Sequence, residues 1–157
     1  ETPMACKSSG YFWNSTHHTT CLLSFTSGQS CGSSSSATTG SLAHYYGPSN
    51  NYGPSVNCEL TITAAPGSSI VLIFTKMDIE LDSTFGCAQN YDWLALYEGS
   101  STTAQQKYCS SSIPSDYTGA SGSSLRIQFK SDSIVEKTGW ALEWYRTAGT
   151  DNKWLAG

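Results

Sequence analysis

The chain is 157 residues long, room for one domain of ordinary size. Only 13% of its residues are charged, about half the usual share, and 12% are aromatic, which excludes a solvated disordered chain and supplies a core instead. A net charge of −4 with only 8 Lys and Arg leaves no basic footprint for nucleic acid, and the longest apolar run, 70–74, is far too short for a membrane span.

In chain order, residues 1–30 hold Cys6 and Cys21 around the aromatic stretch Tyr11-Phe12-Trp13-Asn14 and show no clear period. Asn14-Ser15-Thr16 is a glycosylation sequon. The Ser/Thr-rich stretch from Gly32 to Gly40 reads as a turn or exposed loop. Tyr45-Tyr46-Gly47-Pro48 and Tyr52-Gly53-Pro54 read as two turns, because Pro and Gly stop both helix and central strand. After Cys58 the period becomes two: Leu60, Ile62 and Ala64 alternate with polar residues, as on a half-buried strand. Ala65-Pro66-Gly67-Ser68 reads as a turn, and Ile70-Val71-Leu72-Ile73-Phe74 as a strand covered on both faces. Further strands are expected from Asp92 to Tyr97, over Leu125–Lys130 and over Trp140–Tyr145. Short strands separated by turn signals, with no amphipathic helix, predict an all-β fold, a sandwich or a barrel. No leader is visible, so the chain reads as a mature or trimmed segment.

Six cysteines form no C-x-x-C pair and allow 15 pairings. An even count with a sequon and Ser/Gly-rich loops points to an oxidising, secreted, extracellular setting. Enzyme chemistry finds little support. His17, His18 and His44 read as solvated loop residues, and no Gly-x-Ser-x-Gly elbow is present.

The acidic residues carry more. Asp78, Glu80 and Asp82 alternate just after the apolar run, and a continuing strand would put all three on one face. Asp92 opens the next strand and Asp132 closes the one from Leu125. Carboxylates gathered at strand ends either stay solvated or share a hard cation. Calcium takes six to eight oxygen ligands from such groups, from backbone carbonyls and from water.

From Cys31 to Tyr145 the chain resembles a CUB domain, an extracellular β-sandwich module. The resemblance runs through Tyr52-Gly53-Pro54, Cys58, Leu60-Thr61-Ile62, Met77-Asp78-Ile79-Glu80, Cys87, Tyr91-Asp92-Trp93-Leu94, Tyr97-Glu98-Gly99, Cys109, Leu125 to Asp132, and Thr138-Gly139-Trp140-Ala141-Leu142. It implies a disulfide-stabilised antiparallel jelly-roll sandwich over 31–147, an N-terminal extension over 1–30, and a tail or linker over 148–157. It implies the pairs Cys31–Cys58 and Cys87–Cys109, leaving Cys6–Cys21 as a local third. The calcium-binding subtype carries acids where Glu80, Asp92 and Asp132 stand, with backbone carbonyls at Ser133 or Ile134 completing the shell. A supporting Tyr is expected at Tyr46, or else Tyr45. Glu80, Asp132 and Tyr46 would then receive a Lys or Arg of a partner protein. Departures are Ala43-His44-Tyr45-Tyr46 where the family has a Ser-Pro-x-Tyr-Pro stretch, a long interval from Glu80 to Asp92, and Glu59-Leu60 where a Trp is usual. The rival expectations are a carbohydrate-binding module using Tyr45, Tyr46 and Tyr52, a self-assembling matrix component, and a non-catalytic accessory domain of a protease.

Overall fold

The computed structural model describes the backbone at 11–13, 21–24, 30–44, 51–52, 54–84, 86–87 and 91–147, and side chains at 34–43 and from 51 onward within those ranges. Eleven strands and no helix occur among the described residues: β1 (Tyr11–Trp13), β2 (Cys21–Ser24), β3 (Ser30–Ser35), β4 (Thr39–His44), β5 (Asn57–Ile62), β6 (Ile70–Asp78), β7 (Trp93–Glu98), β8 (Gln106–Tyr108), β9 (Tyr117–Thr118), β10 (Leu125–Lys130) and β11 (Gly139–Arg146). They form two sheets, ordered β1-β2-β4-β11-β6-β9 and β3-β5-β10-β7-β8. The fold is an all-β sandwich. Its pairings are antiparallel except β2 on β4 and β3 on β5, which run parallel.

Alternation decides which side chains face inward. Leu60 and Ile62 on β5, Leu94 and Leu96 on β7, and Leu125, Ile127 and Phe129 on β10 are all buried. They meet Leu42, Leu72, Phe74, Trp140, Leu142 and Trp144 of the other sheet in one core. Full burial of each such side chain is worth roughly 1.5–3 kcal/mol before chain entropy is subtracted. The core is rich in rings: Phe129 lies between Tyr52, edge-on at 5.0 Å, and Trp140, tilted at 5.6 Å. Gly40 sits opposite Trp144, and a Cβ there would lie 2.1 Å from the indole, so only glycine lets β4 approach it.

One irregularity sets up the site. Leu142 pairs with Phe74 and Ala141 with Lys76, so Thr75 is the extra residue of a bulge. Before it the inward residues are Leu72 and Phe74; after it they are Met77 and Ile79. The bulge therefore turns Asp78 and Glu80 away from the core interior and toward the end of the sandwich.

Several expectations need correction. The stretch 32–40 is no loop: β3 and β4 occupy most of it. Its Ser and Gly residues have no apolar alternation to reveal them, and pairing to β5 and β11 makes them strands. The N-terminal stretch, with no visible period, contributes β1 and β2, and the parallel register of β2 on β4 adds them to the first sheet. The Ile70–Phe74 run is not wholly covered, since Ile73 is half-buried. The Ala65–Ser68 turn is present, closed by Ser68 N–H donating to Ala65 O at 2.9 Å, with Gly67 at φ +74°.

Candidate metal centre

Three strand ends converge at one end of the sandwich. β7 and β10 run antiparallel with Lys130 opposite Trp93, so Asp92, just before β7, and Asp132, just after β10, must be neighbours. Glu80 follows β6 of the other sheet. Its position is fixed by a bridge in which Ile79 and Ser110 exchange both backbone hydrogen bonds, at 3.0 and 2.8 Å. The Cys87–Cys109 disulfide pins the same region. Glu80, Asp92 and Asp132 each bring a carboxylate oxygen within 4.8 Å of the other two.

Asp92 is the anchored member. It is 2% exposed, and both of its oxygens accept hydrogen bonds. The Tyr52 hydroxyl donates to Oδ2 at 2.5 Å, and the Asp132 backbone N–H donates to Oδ1 at 2.7 Å. The same Tyr52 hydroxyl accepts the Glu80 backbone N–H at 3.1 Å, so one phenol joins two acids. Tyr52 is held in turn by its own N–H on Lys137 O at 2.9 Å, and Ser55 N–H bonds Asp132 O at 2.8 Å. Asp132 is half-buried, and its Oδ1 accepts the Ile134 N–H at 3.0 Å, an Asx turn that shapes the following loop. Glu80 is 7% exposed, yet its Oε1 is buried with no hydrogen-bond partner among the described residues.

The electrostatics express crowding. Burial, then the neighbouring charges of Asp92 and Asp132, push the Glu80 carboxyl up to about 7, against a smaller opposing pull from Lys137. Burial also raises Asp92 to about 6, although the Tyr52 and Asp132 hydrogen bonds favour its charged form. The Tyr52 hydroxyl is pushed well above the usual phenol range by burial and by its bond to Asp92, so it remains a donor. Three oxygen-donor acids this close, one with a bare buried oxygen, are a poor arrangement for the protein alone. They are a good one around a hard divalent cation, whose charge removes both penalties.

The remaining acids part company with this group. β6 ends at Asp78, so the alternation expected to align Asp78, Glu80 and Asp82 lapses. Asp78 accepts the Thr138 hydroxyl at 2.6 Å and its N–H at 3.0 Å. Those bonds and the charges of Lys76 and Lys137 outweigh burial and lower its carboxyl below the ordinary value. Asp82 accepts the Thr84 N–H at 2.7 Å in a local turn. Ser133 and Ile134 lie in the exposed loop after Asp132. Leu81, Ile134 and Val135 are large exposed apolar residues beside the cluster, and Val135 has φ +61°, a strained conformation for a β-branched residue. Tyr45, Tyr46, Asn14, Cys6 and the side chains of Cys21 and Cys31 lie outside the described residues. Cys58 is disulfide-bonded, and the register sets Cys31 opposite it. Tyr52, read from the sequence as the start of a turn, is only 1% exposed, which removes it from the sugar-stacking alternative. The Tyr52-Gly53-Pro54 motif was its signal, but nothing in spacing says that a residue 28 positions before Glu80 reaches it.

The fold and its acidic end define a β-sandwich module with a candidate cation site between its loops. The family model of the CUB domain matches residues 31–144, and the chain belongs to that family. Cubilin of Canis lupus familiaris is 34% identical over 123 residues, covering 76% of this chain and 3% of cubilin. Procollagen C-endopeptidase enhancer 1 of Homo sapiens is 30% identical over 122 residues, covering 76% of this chain and 26% of that protein. Among solved structures, the CUB1-EGF-CUB2 domains of rat MASP-1 superpose with a TM-score of 0.62 at 28% identity, over 87% of this chain and 45% of that one. The MASP-1 CUB2 domain bound to Ca2+ gives 0.60 at 28% identity, over 76% of this chain and 98% of that one. The chain thus spans a small part of the curated relatives it matches.

Proposed function

We propose that this chain is an extracellular, calcium-dependent protein-recognition module. Glu80, Asp92 and Asp132 hold the ion, with backbone oxygen from the loop at Ser133 or Ile134, and the chain binds a Lys or Arg side chain of a partner protein. The observation that carries this reading is the cluster in which Glu80, Asp92 and Asp132 each bring a carboxylate oxygen within 4.8 Å of the other two, together with a buried Glu80 Oε1 that has no hydrogen-bond partner among the described residues. A related CUB domain solved with Ca2+ supports the choice of ion. When bound, the ion supplies positive charge that cancels the repulsion among the three acids.

The protein's own groups divide the labour. Tyr52 and the Asp132 N–H fix Asp92 with one hydrogen bond on each oxygen and leave lone pairs for the ion, which makes Asp92 a fixed inner ligand. Glu80 and Asp132 keep acceptor capacity for an incoming ammonium or guanidinium group. A carboxylate already immobilised loses little entropy on meeting such a group, and a charge-assisted hydrogen bond is roughly twice as strong as a neutral one. The affinity for calcium expected of an extracellular oxygen site is about 10⁻⁴–10⁻³ M. This is a binding role and not a catalytic one. The disulfides support an oxidising, secreted setting, with Asn14 as the proposed glycan site.

The test is surface plasmon resonance of the full chain over an immobilised lysine-containing peptide and its lysine-acetylated counterpart. Measurements are made in millimolar calcium and in chelator. Binding is expected only to the free lysine and only with calcium. Equal binding in chelator, or equal binding to the acetylated peptide, defeats the proposal.

A further inference from the structure

A second surface lies on the outer face of the five-stranded sheet, away from the core. Along β7 the outward residues are Trp93, Ala95 and Tyr97, with Ala95 covered by its neighbours, and Tyr91, two positions before Trp93, is exposed. Residues two and four apart on a strand lie about 7 and 13 Å apart, the scale of successive sugar rings. Cations flank this row on both sides. Lys107 of β8 places its Nζ 4.2 Å from the Trp93 ring centroid, and Lys130 of β10 places its own at 5.5 Å. Arg126 lies 4.8 Å over Tyr97. Three of the chain's 8 basic residues therefore line one strand of a protein with net charge −4.

Their compensation is unequal. Arg126 pairs with Glu59 at 3.3 Å and donates to the Gly99 and Ser101 carbonyls. Lys107 and Lys130 make no ion pair among the described residues. Two ammonium groups of like charge thus share one indole, and Asp132, which lines the cavity beside Trp93 and Lys130, forms no ion pair with either lysine among the described residues. A cation over a ring face is attracted by its quadrupole, but that attraction does not remove the mutual repulsion. An external anion would. Beside the rings runs a row of polar groups: Tyr97 hydroxyl donates to Gln128 Oε1 at 3.2 Å, and Gln128 Nε2 donates to Asn57 Oδ1 at 2.9 Å.

We infer that this face binds a linear sulfated polysaccharide, lying along β7 between Lys107 on one side and Lys130 on the other. An acidic peptide is the weaker fit. β7 is an interior strand, paired on both sides by β10 and β8, so it offers no free backbone edge for a peptide strand to join. The amides and flanking ammonium groups suit sugar hydroxyls and anionic substituents. The near end of this row adjoins the acidic site, since Asp132 shares a cavity with Tyr91, Trp93 and Lys130, so the test removes calcium to separate the two.

The test uses the full chain in chelator at physiological salt, passed over immobilised heparin, desulfated heparin, neutral dextran and polyglutamate. Heparin binding that weakens with added salt is expected, with little binding to the other three. Lys107→Gln with Lys130→Gln is expected to lower heparin affinity about tenfold or more at unchanged melting temperature, since a hydrogen bond to a charged group is worth roughly that factor. Glu80→Gln is expected to leave heparin binding intact. Absence of heparin binding, equal binding by the double variant, or equal capture by polyglutamate overturns the inference.

Discussion

Tyr52→Phe isolates the group on which the acidic site is hung. The phenyl ring keeps the edge-on contact with Phe129 and the burial of Tyr52; only the hydroxyl goes. Its loss removes the donor to Asp92 Oδ2 and the acceptor of the Glu80 N–H, both buried. A hydrogen bond to a charged group contributes about 1.5–3 kcal/mol and a neutral one about 1 kcal/mol, so the expected destabilisation is about 2–4 kcal/mol. Loss of a group that orients a metal ligand typically costs about 10–100-fold in metal affinity. Urea unfolding in chelator reads the first effect and calcium titration calorimetry the second. A variant within about 0.5 kcal/mol of the parent, with the same calcium affinity, would refute the reasoning that Tyr52 organises these acids.

Two further outcomes follow from the same geometry. Because Glu80 and Asp92 hold protons more tightly folded than unfolded, rising from 4.5 to about 7 and from 3.8 to about 6, their contribution to stability is present in acid and is lost as pH rises through 6 to 7. Metal-free protein is therefore expected to be more stable at pH 5 than at pH 8, while calcium stabilises it most above pH 7. Urea midpoints across that range in chelator check the sign, and a steady rise with pH contradicts it. Replacing Cys87 and Cys109 together by Ser opens a loop spanning 22 residues and is expected to cost about 3 kcal/mol. Calcium affinity should fall with it, because the disulfide restrains the Ile79–Ser110 bridge that positions Glu80; calorimetry on the folded variant measures this.

Much of the sandwich is legible in the chain because burial imposes a period. β5, β7, β10 and β11 carry inward Leu, Ile, Phe or Trp at every second position, and a half-buried strand has no other way to be written. β3 is Ser-Cys-Gly-Ser-Ser-Ser, with no such period, and becomes a strand only through its pairing with β5. The site divides in the same way. Glu80, Asp92 and Asp132 stand at strand ends that the pattern locates, and the CUB resemblance singles them out from other acids. The bulge at Thr75 is invisible in sequence, yet it decides that Met77 and Ile79 face inward and Glu80 does not. Tyr52 is similarly hidden, since a Tyr-Gly-Pro turn ordinarily lies at the surface, and only the folded loop carries its hydroxyl beneath Asp92. The cations on Trp93 come from the two strands that flank it, and cross-strand register, which no single segment encodes, brings them together.

The central claim is that one divalent ion sits among three acids from three strand ends. A crystal structure of the chain grown in millimolar calcium tests it most directly. The expected result is a single peak with calcium anomalous signal, at 2.3–2.6 Å from oxygens of Glu80, Asp92 and Asp132. A well-ordered map with the three carboxylates in place and only water or nothing between them contradicts the account.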